Sequence, residues 1–222
     1  MLDGRWRAKA EQGLEPIGRG LHAIGVSADA LTVFGLVAAV GTALLIANGN
    51  LVLAVFGLIL SGLPDILDGS VARHSGTAGT RGAFFDSVCD RVADAVILGG
   101  VAWHVADVDP RLSILAFAVL ALTMLVSYER AKAESLGLEA RGGLMERLER
   151  MVLLGIGLAF DVLVPVLWIM LALTAITAIH RFVMVWRQAT PAPADRPLPR
   201  RRFTRTHRAR RPRRLSRVPG RR

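Results

Sequence analysis

Asp65-Ile66-Leu67-Asp68-Gly69-Ser70-Val71-Ala72-Arg73, an eight-residue spacer, then Gly82-Ala83-Phe84-Phe85-Asp86-Ser87-Val88-Cys89-Asp90: this stretch joins two strongly apolar runs and sets four carboxylates at their junction. Asp65 and Asp68 are three apart and Asp86 and Asp90 four apart, so on helices each pair points along one face. The spacer from His74 to Arg81 is short and rich in Gly, Ser and Thr. A loop of that length joins two antiparallel neighbours, which sets the two Asp pairs facing each other. Four converging carboxylates beside apolar surface repel one another and are costly to desolvate. A divalent cation, or two, relieves both costs, and oxygen-only ligands favour a hard ion, Mg²⁺ or Mn²⁺.

Outward from the stretch, the chain is a membrane protein by composition. Of its 222 residues 52% are hydrophobic, the mean hydropathy is +0.42, and several apolar runs approach or exceed a membrane span. The predicted fold is all-α: a polytopic bundle of six transmembrane helices preceded by an amphipathic surface helix. Residues 1–23, which mix Arg5, Arg7 and Lys9 with apolar residues, form that juxtamembrane segment, with Trp6 at headgroup level. No apolar segment follows these charges closely enough for a secretory signal. Ser27 or Asp29 caps a first span over about 30–47, and Asn48-Gly49-Asn50 turns the chain. The second span starts at Leu51 and carries Pro64, a kink point, just before Asp65. Gly82 opens the third, which runs to about Val105 and ends at the turn Asp107–Pro110. The fourth starts near Leu112 and continues as charged helix past Val126. Gly142-Gly143 then breaks the chain. Asp161 and Pro165 split the remaining apolar run into spans five and six, the sixth ending at His180-Arg181.

Charge orients this bundle. Thirteen arginines and no acid fall within 196–222, so residues 1–195 carry a net charge of −3 out of the chain's total of +10. Residues 24–189 are the membrane domain, and 190–222 read as a disordered Arg-rich tail. With six spans both termini share a side, and Arg73, Arg81, Arg130, Lys132, Arg141, Arg147, Arg150, Arg181 and the tail all fall on it. Cation-rich loops face the cytosol, so both termini and both Asp pairs lie at the cytosolic face of the cell membrane. The tail suits anionic lipid headgroups; no aromatic-interleaved module supports a nucleic-acid partner. Cys89 is the only cysteine and reads as a small apolar helix residue.

Asp65, Asp68, Gly69, Ala72, Arg73, Gly82, Asp86 and Asp90 satisfy D-x2-D-G-x2-A-R-x8-G-x3-D-x3-D at every fixed position. This resembles the signature of the CDP-alcohol phosphatidyltransferases, integral membrane enzymes that join a CDP-activated lipid to an alcohol and release CMP. The resemblance implies CDP-diacylglycerol as donor, metal held by Asp65, Asp68, Asp86 and Asp90, Asp90 as general base for the acceptor hydroxyl, and a homodimer. Gly69, Ala72 and Gly82 remove side-chain bulk where the nucleotide approaches, and Arg73 pairs a phosphate. Asp94, one turn beyond Asp90 and outside the motif, reads as a buried hydrogen-bonded carboxyl.

Ser127-Tyr128-Glu129-Arg130-Ala131-Lys132-Ala133-Glu134, Gly142-Gly143-Leu144-Met145-Glu146-Arg147-Leu148-Glu149-Arg150 and Ile179-His180-Arg181 are similar to segments of the bacterial phosphatidylinositol-phosphate synthases within that family. That similarity implies a phosphorylated polyol acceptor, inositol phosphate, with its phosphate on Arg130, Lys132, Arg150 and Arg181. Arg130 and Lys132 are exchanged relative to the subfamily's S-Y-x-K-A-R-A-E, and Leu148 replaces a proline. Glycerol 3-phosphate is the alternative acceptor. The competing class is an ion-coupled transporter, because intramembrane carboxylates also mark ion paths. The acids here cluster at one mouth, with no acidic chain toward the other face.

Overall fold

The computed structural model describes residues 27–75, 79–140 and 142–190, with the backbone alone for 65–75. The expected surface helix at 1–23 and the tail from 191 lie outside the described residues. Six helices and no strands occur among the described residues: α1 (Ala28–Ala47), α2 (Leu51–Ser75), α3 (Thr80–Ala106), α4 (Leu112–Ser135), α5 (Arg147–Ala159) and α6 (Leu163–Ala189).

Local chemistry sets most of these ends. Ser27 Oγ accepts from the Ala30 amide at 3.2 Å, and Asp29 adds a carboxylate to the first turn of α1. Asn48 Nδ2 donates to the Leu44 carbonyl at 2.7 Å where α1 ends. The α4–α5 connection needs Gly142 and Gly143, with φ of 96° and 151°, values that L side chains rarely adopt. At the α5–α6 corner Asp161 takes φ 53°, and Val162 N closes back onto the Gly157 carbonyl at 2.9 Å.

Two expected boundaries need correction. The loop between the Asp pairs is shorter than 74–81: α2 continues to Ser75 and α3 starts at Thr80. Polar composition at Arg73, His74 and Arg81 marks departure from apolar surroundings, whereas the helical hydrogen bonds break only at the Gly-rich centre. Likewise α6 does not stop at His180-Arg181 but runs eight residues further, to Ala189. Arg181 changes the polarity of the helix without interrupting it. Pro64 sits inside α2, and the helix continues through it.

The principal pairings are α1 with α2 and α3, α3 with α4, α4 with α6, and α5 with α6 and α2. They close a ring in the order α1, α3, α4, α6, α5, α2. Gly100 explains how tightly α1 meets α3: a Cβ there would lie 2.6 Å from the Ala43 carbonyl oxygen, so only hydrogen fits. The core inside the ring includes Ala39, Ile46, Val101, Val119, Leu158, Leu167 and Met170.

The outside is as apolar as the inside. Phe34, Val37, Leu44, Phe117, Trp168 and Ile179 are exposed, while Thr32, Thr42, Thr123, Thr174 and Thr177 are buried. Thr42 and Thr177 return their hydroxyl protons to carbonyls one turn earlier, at 2.7 and 2.8 Å. That pattern suits lipid as the surrounding solvent. By length and apolarity α1, α4 and α6 qualify as membrane-crossing helices; the apolar part of α2, Leu51–Pro64, is shorter.

Candidate active site

α2 ends and α3 begins four residues apart, so the Asp-bearing halves of both helices return to one end of the bundle. Asp65 and Asp68 lie within α2 but their side chains are outside the described set, as are those of Gly69, Ala72 and Arg73. Asp86 and Asp90 lie one turn apart on α3. The Asp86 carboxylate is partly buried, with no ion pair or hydrogen bond among the described residues. Gly82 leaves open space, for a Cβ there would meet nothing within 4 Å.

Asp90 is heavily engaged. Arg147 Nη1 lies 2.7 Å from its Oδ1 and Arg91 Nη1 lies 3.3 Å from its Oδ2. One turn deeper, Asp94 receives Arg150 Nη2 at 3.0 Å and Arg147 Nε at 3.5 Å. Asp94 is therefore the hydrogen-bonded carboxyl its position suggested. These contacts form a ladder of two acids on α3 and two arginines on α5. In the helix ring α3 and α5 are not neighbours, so the ladder crosses the interior. The sequence sets Arg147 among the cations of this face without showing its acidic partners. The matching signal was present: acids four apart on one helix and arginines three apart on another present complementary faces.

The expected acceptor cations divide. Arg181 is 3% exposed and Arg150 is 7% exposed. Arg181 donates from Nε to the Gly142 carbonyl at 2.9 Å, from Nη1 to the Val126 carbonyl at 3.1 Å and from Nη2 to Glu146 at 3.3 Å. Its electrostatic neighbours are Glu146, Arg130, Glu129 and Arg150, so three of the four expected cations come together. Arg130 is exposed and pairs with Glu134 at 3.1 Å. Lys132 is exposed on α4 and is not among these neighbours. Glu129 and Glu149 each keep one buried carboxylate oxygen with no hydrogen-bond partner among the described residues.

The strap between α4 and α5 covers this cluster and is fastened along α6. Thr177 Oγ1 accepts from the amides of Leu144 and Met145, both at 3.2 Å. Gln188 and Glu139 exchange two hydrogen bonds, at 2.7 and 3.0 Å. Thr177, Arg181 and Gln188 recur along one face of α6, a stripe not visible in the sequence because most of their partners are backbone groups far away in the chain.

Between α3 and α4 an open groove of about 680 Å³ is lined by Ser87, Val88, Arg91, Val92, Met124 and Tyr128, among others. Its polar mouth therefore adjoins Asp90 through Arg91, and its floor is apolar.

The family model for CDP-alcohol phosphatidyltransferases matches residues 26–190. The chain belongs to that family. Among similar proteins, the phosphatidylinositol phosphate synthase of Mycobacterium marinum is 36% identical over 200 residues, covering 81% of this chain and 82% of that one. The synthase of Streptomyces avermitilis is 35% identical over 210 residues, covering 87% and 86%. In three dimensions the chain is similar to the phosphatidylinositol phosphate synthase of Mycobacterium tuberculosis with CDP-DAG bound, at a TM-score of 0.73 and 32% identity, covering 82% of this chain and 96% of that one. The same enzyme in complex with manganese and citrate gives a TM-score of 0.72 at 33% identity, covering 82% and 91%. Membership ends the transporter alternative: the chain is a phosphatidyltransferase.

Among the described residues no three acids, histidines or cysteines gather as a metal cage. The donor set still fits a hard divalent ion. Asp86 offers a carboxylate without a partner among the described residues, Asp90 adds a second on the same face, and both offer oxygen donors alone. Asp65 and Asp68 belong to the opposing helix end.

Proposed function

We propose that this phosphatidyltransferase uses CDP-diacylglycerol as donor and inositol phosphate as acceptor. In the reaction the acceptor hydroxyl oxygen bonds to the lipid-side phosphorus. The anhydride bond breaks, CMP leaves with the bridging oxygen, and the hydroxyl proton passes to Asp90. Asp65, Asp68, Asp86 and Asp90 hold divalent metal, Mg²⁺ or Mn²⁺, as two ions. When bound it neutralises charge on the pyrophosphate oxygens. Gly69, Ala72 and Gly82 let the nucleotide approach the helix backbones, and Arg73 pairs a phosphate. The groove between α3 and α4 suits the acyl chains, since its polar mouth adjoins Asp90 and its floor is apolar. Arg130, Arg150 and Arg181 hold the acceptor phosphate, with Lys132 at the rim. The partly satisfied carboxylates of Glu129 and Glu149 accept from polyol hydroxyls.

One observation carries the acceptor reading. Asp90 is linked through Arg147 and Asp94 to Arg150, which in turn neighbours Arg181. The proton acceptor and the phosphate cations thus belong to one connected cluster. The relatives named as phosphatidylinositol phosphate synthases support the same choice. The enzyme sits in the cell membrane as a six-span bundle with an N-terminal surface helix. Both termini and the active site face the cytosol, and two copies associate.

A panel assay tests this. Purified protein, CDP-diacylglycerol and Mg²⁺ are offered inositol phosphate, free inositol, glycerol 3-phosphate or serine, and CMP release is followed. Inositol phosphate should give the highest kcat/KM. Preference for glycerol 3-phosphate would replace the polyol but keep the phosphate site, whereas preference for serine or free inositol would refute both.

A further inference from the structure

The ladder across the ring puts a guanidinium on the very carboxylate that the proposed function assigns to metal and to proton transfer. Arg147 Nη1 approaches Asp90 Oδ1 to 2.7 Å, the shortest ion pair among the described residues. Both partners are largely enclosed, with side chains 16% and 18% exposed. A carboxylate withdrawn from water needs a cation close by. Arg147 supplies one from across the ring, beside Arg91 on the other carboxylate oxygen, and α3 and α5, which are not ring neighbours, are braced by that contact.

A divalent ion entering beside Asp86 changes the balance. Asp90 and Asp94 on α3 face Arg147 and Arg150 on α5, two negative charges against two positive. A guanidinium on Oδ1 and a metal on the same carboxylate repel within a few ångström. Asp94 offers Arg147 a second resting place, since its Oδ1 already lies 3.5 Å from Nε. Release is therefore a short slide along one face of α3 rather than an escape to solvent.

We propose that Arg147 is a positioning residue, the counter-cation on Oδ1 of Asp90, which yields that oxygen to the incoming divalent ion and in doing so loosens the first turn of α5. That turn carries Arg150, so loading of the metal end readies the acceptor end. The inference rests on the assignment of Asp90 as a metal ligand.

The test measures Mn²⁺ binding to the full chain in detergent by the spin-resonance signal of free Mn²⁺, alongside thermal unfolding with and without the ion. Arg147→Gln should bind Mn²⁺ at least threefold more tightly than the wild type. It should unfold at a lower temperature without the ion, and gain more from its addition. Arg147→Lys, which keeps the charge, should restore the wild-type affinity. Asp94→Asn damages the brace equally but leaves Arg147 on Asp90, so it should lower Tm without tightening Mn²⁺. Unchanged or weaker Mn²⁺ binding by Arg147→Gln would overturn the proposal. Should that variant not fold, hydrogen exchange on the wild type decides: the first hydrogen-bonded amides of α5, from Arg150 on, should exchange faster with Mn²⁺ bound, and equal or slower exchange overturns it. A wild type that binds no Mn²⁺ defeats the metal assignment as well. Binding that Asp90→Asn abolishes but Arg147→Gln leaves unaltered defeats this inference alone.

Discussion

Arg181 ties three parts of the fold together, and the proposed function also gives it the acceptor phosphate. It is 3% exposed, and its three nitrogens donate to α4, to the strap and to Glu146. A guanidinium has five N–H groups in a rigid fork, so two remain after these bonds, one on each terminal nitrogen. Those two are what an acceptor phosphate can take. Lysine has three donors on one atom and cannot reach the Val126 and Gly142 carbonyls while also facing a ligand. Arg181→Lys should therefore raise KM for the acceptor at least tenfold and leave KM for CDP-diacylglycerol within about twofold. Arg181→Met leaves two carbonyls and Glu146 without their partner and should also cost about 3 kcal/mol of stability. Parallel acceptor and donor titrations with a thermal melt check both statements. An equal rise in both KM values would show that Arg181 acts only on the fold. At this scale the sequence was legible for the acids of the motif, whose spacing is local. It was silent on the partners of Arg147, Arg150 and Arg181, because those contacts span 35 residues or more and depend on how helices face each other.

At the scale of the helix, close approach is set by what is missing. Gly99 and Gly100 are adjacent on α3 with opposite surroundings: a Cβ at Gly99 meets nothing within 4 Å, while one at Gly100 would lie 2.6 Å from the Ala43 carbonyl oxygen. Gly99→Ala should be neutral or stabilise α3 by about 0.5–1 kcal/mol, through lower backbone freedom in the unfolded state. Gly100→Val must push α1 from α3 and should cost about 1–3 kcal/mol or more. Because α3 carries Asp86 and Asp90, that variant should lose turnover as well as Tm. Thermal unfolding of the two variants in one detergent gives the comparison, and similar Tm values would mean that α1 and α3 have room to spare. Helix starts and stops were readable where one residue dictates them: Ser27 caps α1, Asn48-Gly49-Asn50 turns it, and Gly142-Gly143 ends the strap's extended path. The true end of α6 was not readable. A charged residue marks where the membrane gives way to water, and a helix crosses that boundary without a hydrogen bond changing.

For the molecule as a whole, the turns sort themselves to two ends. Asp29 at the start of α1 pairs with Arg81 at the start of α3, at 3.7 Å. The α4–α5 strap is tied to the end of α6 through Gln188. At the other end the turn after α1 lies beside α3's last residues, since a Cβ at Gly49 would sit 3.9 Å from His104. The ring order itself was invisible in the sequence, because the apolar faces that choose neighbours are nearly featureless runs of Leu, Val, Ile and Ala. Charge, however, separates the ends. Arg81, Arg130, Lys132, Arg147, Arg150 and Arg181 fall at the first end, while the turns at 48–50 and 107–111 hold Arg111 alone. α6, at 27 residues, extends about 40 Å against a hydrocarbon layer of roughly 30 Å, so in the proposed topology its last turns stand clear of the membrane. There Phe182 and Trp186 stack with ring centres 5.8 Å apart, where aromatic side chains favour the interface. The cation bias supports the proposed topology, in which the strap, the Asp-bearing ends and the end of α6 share the cytosolic side. A reporter fused after Arg222 should therefore read cytosolic, and one inserted at Asp109 should read the opposite face. Reporters reading the same side at both positions would overturn the six-span topology, and with it the access of a water-soluble nucleotide to Asp86 and Asp90.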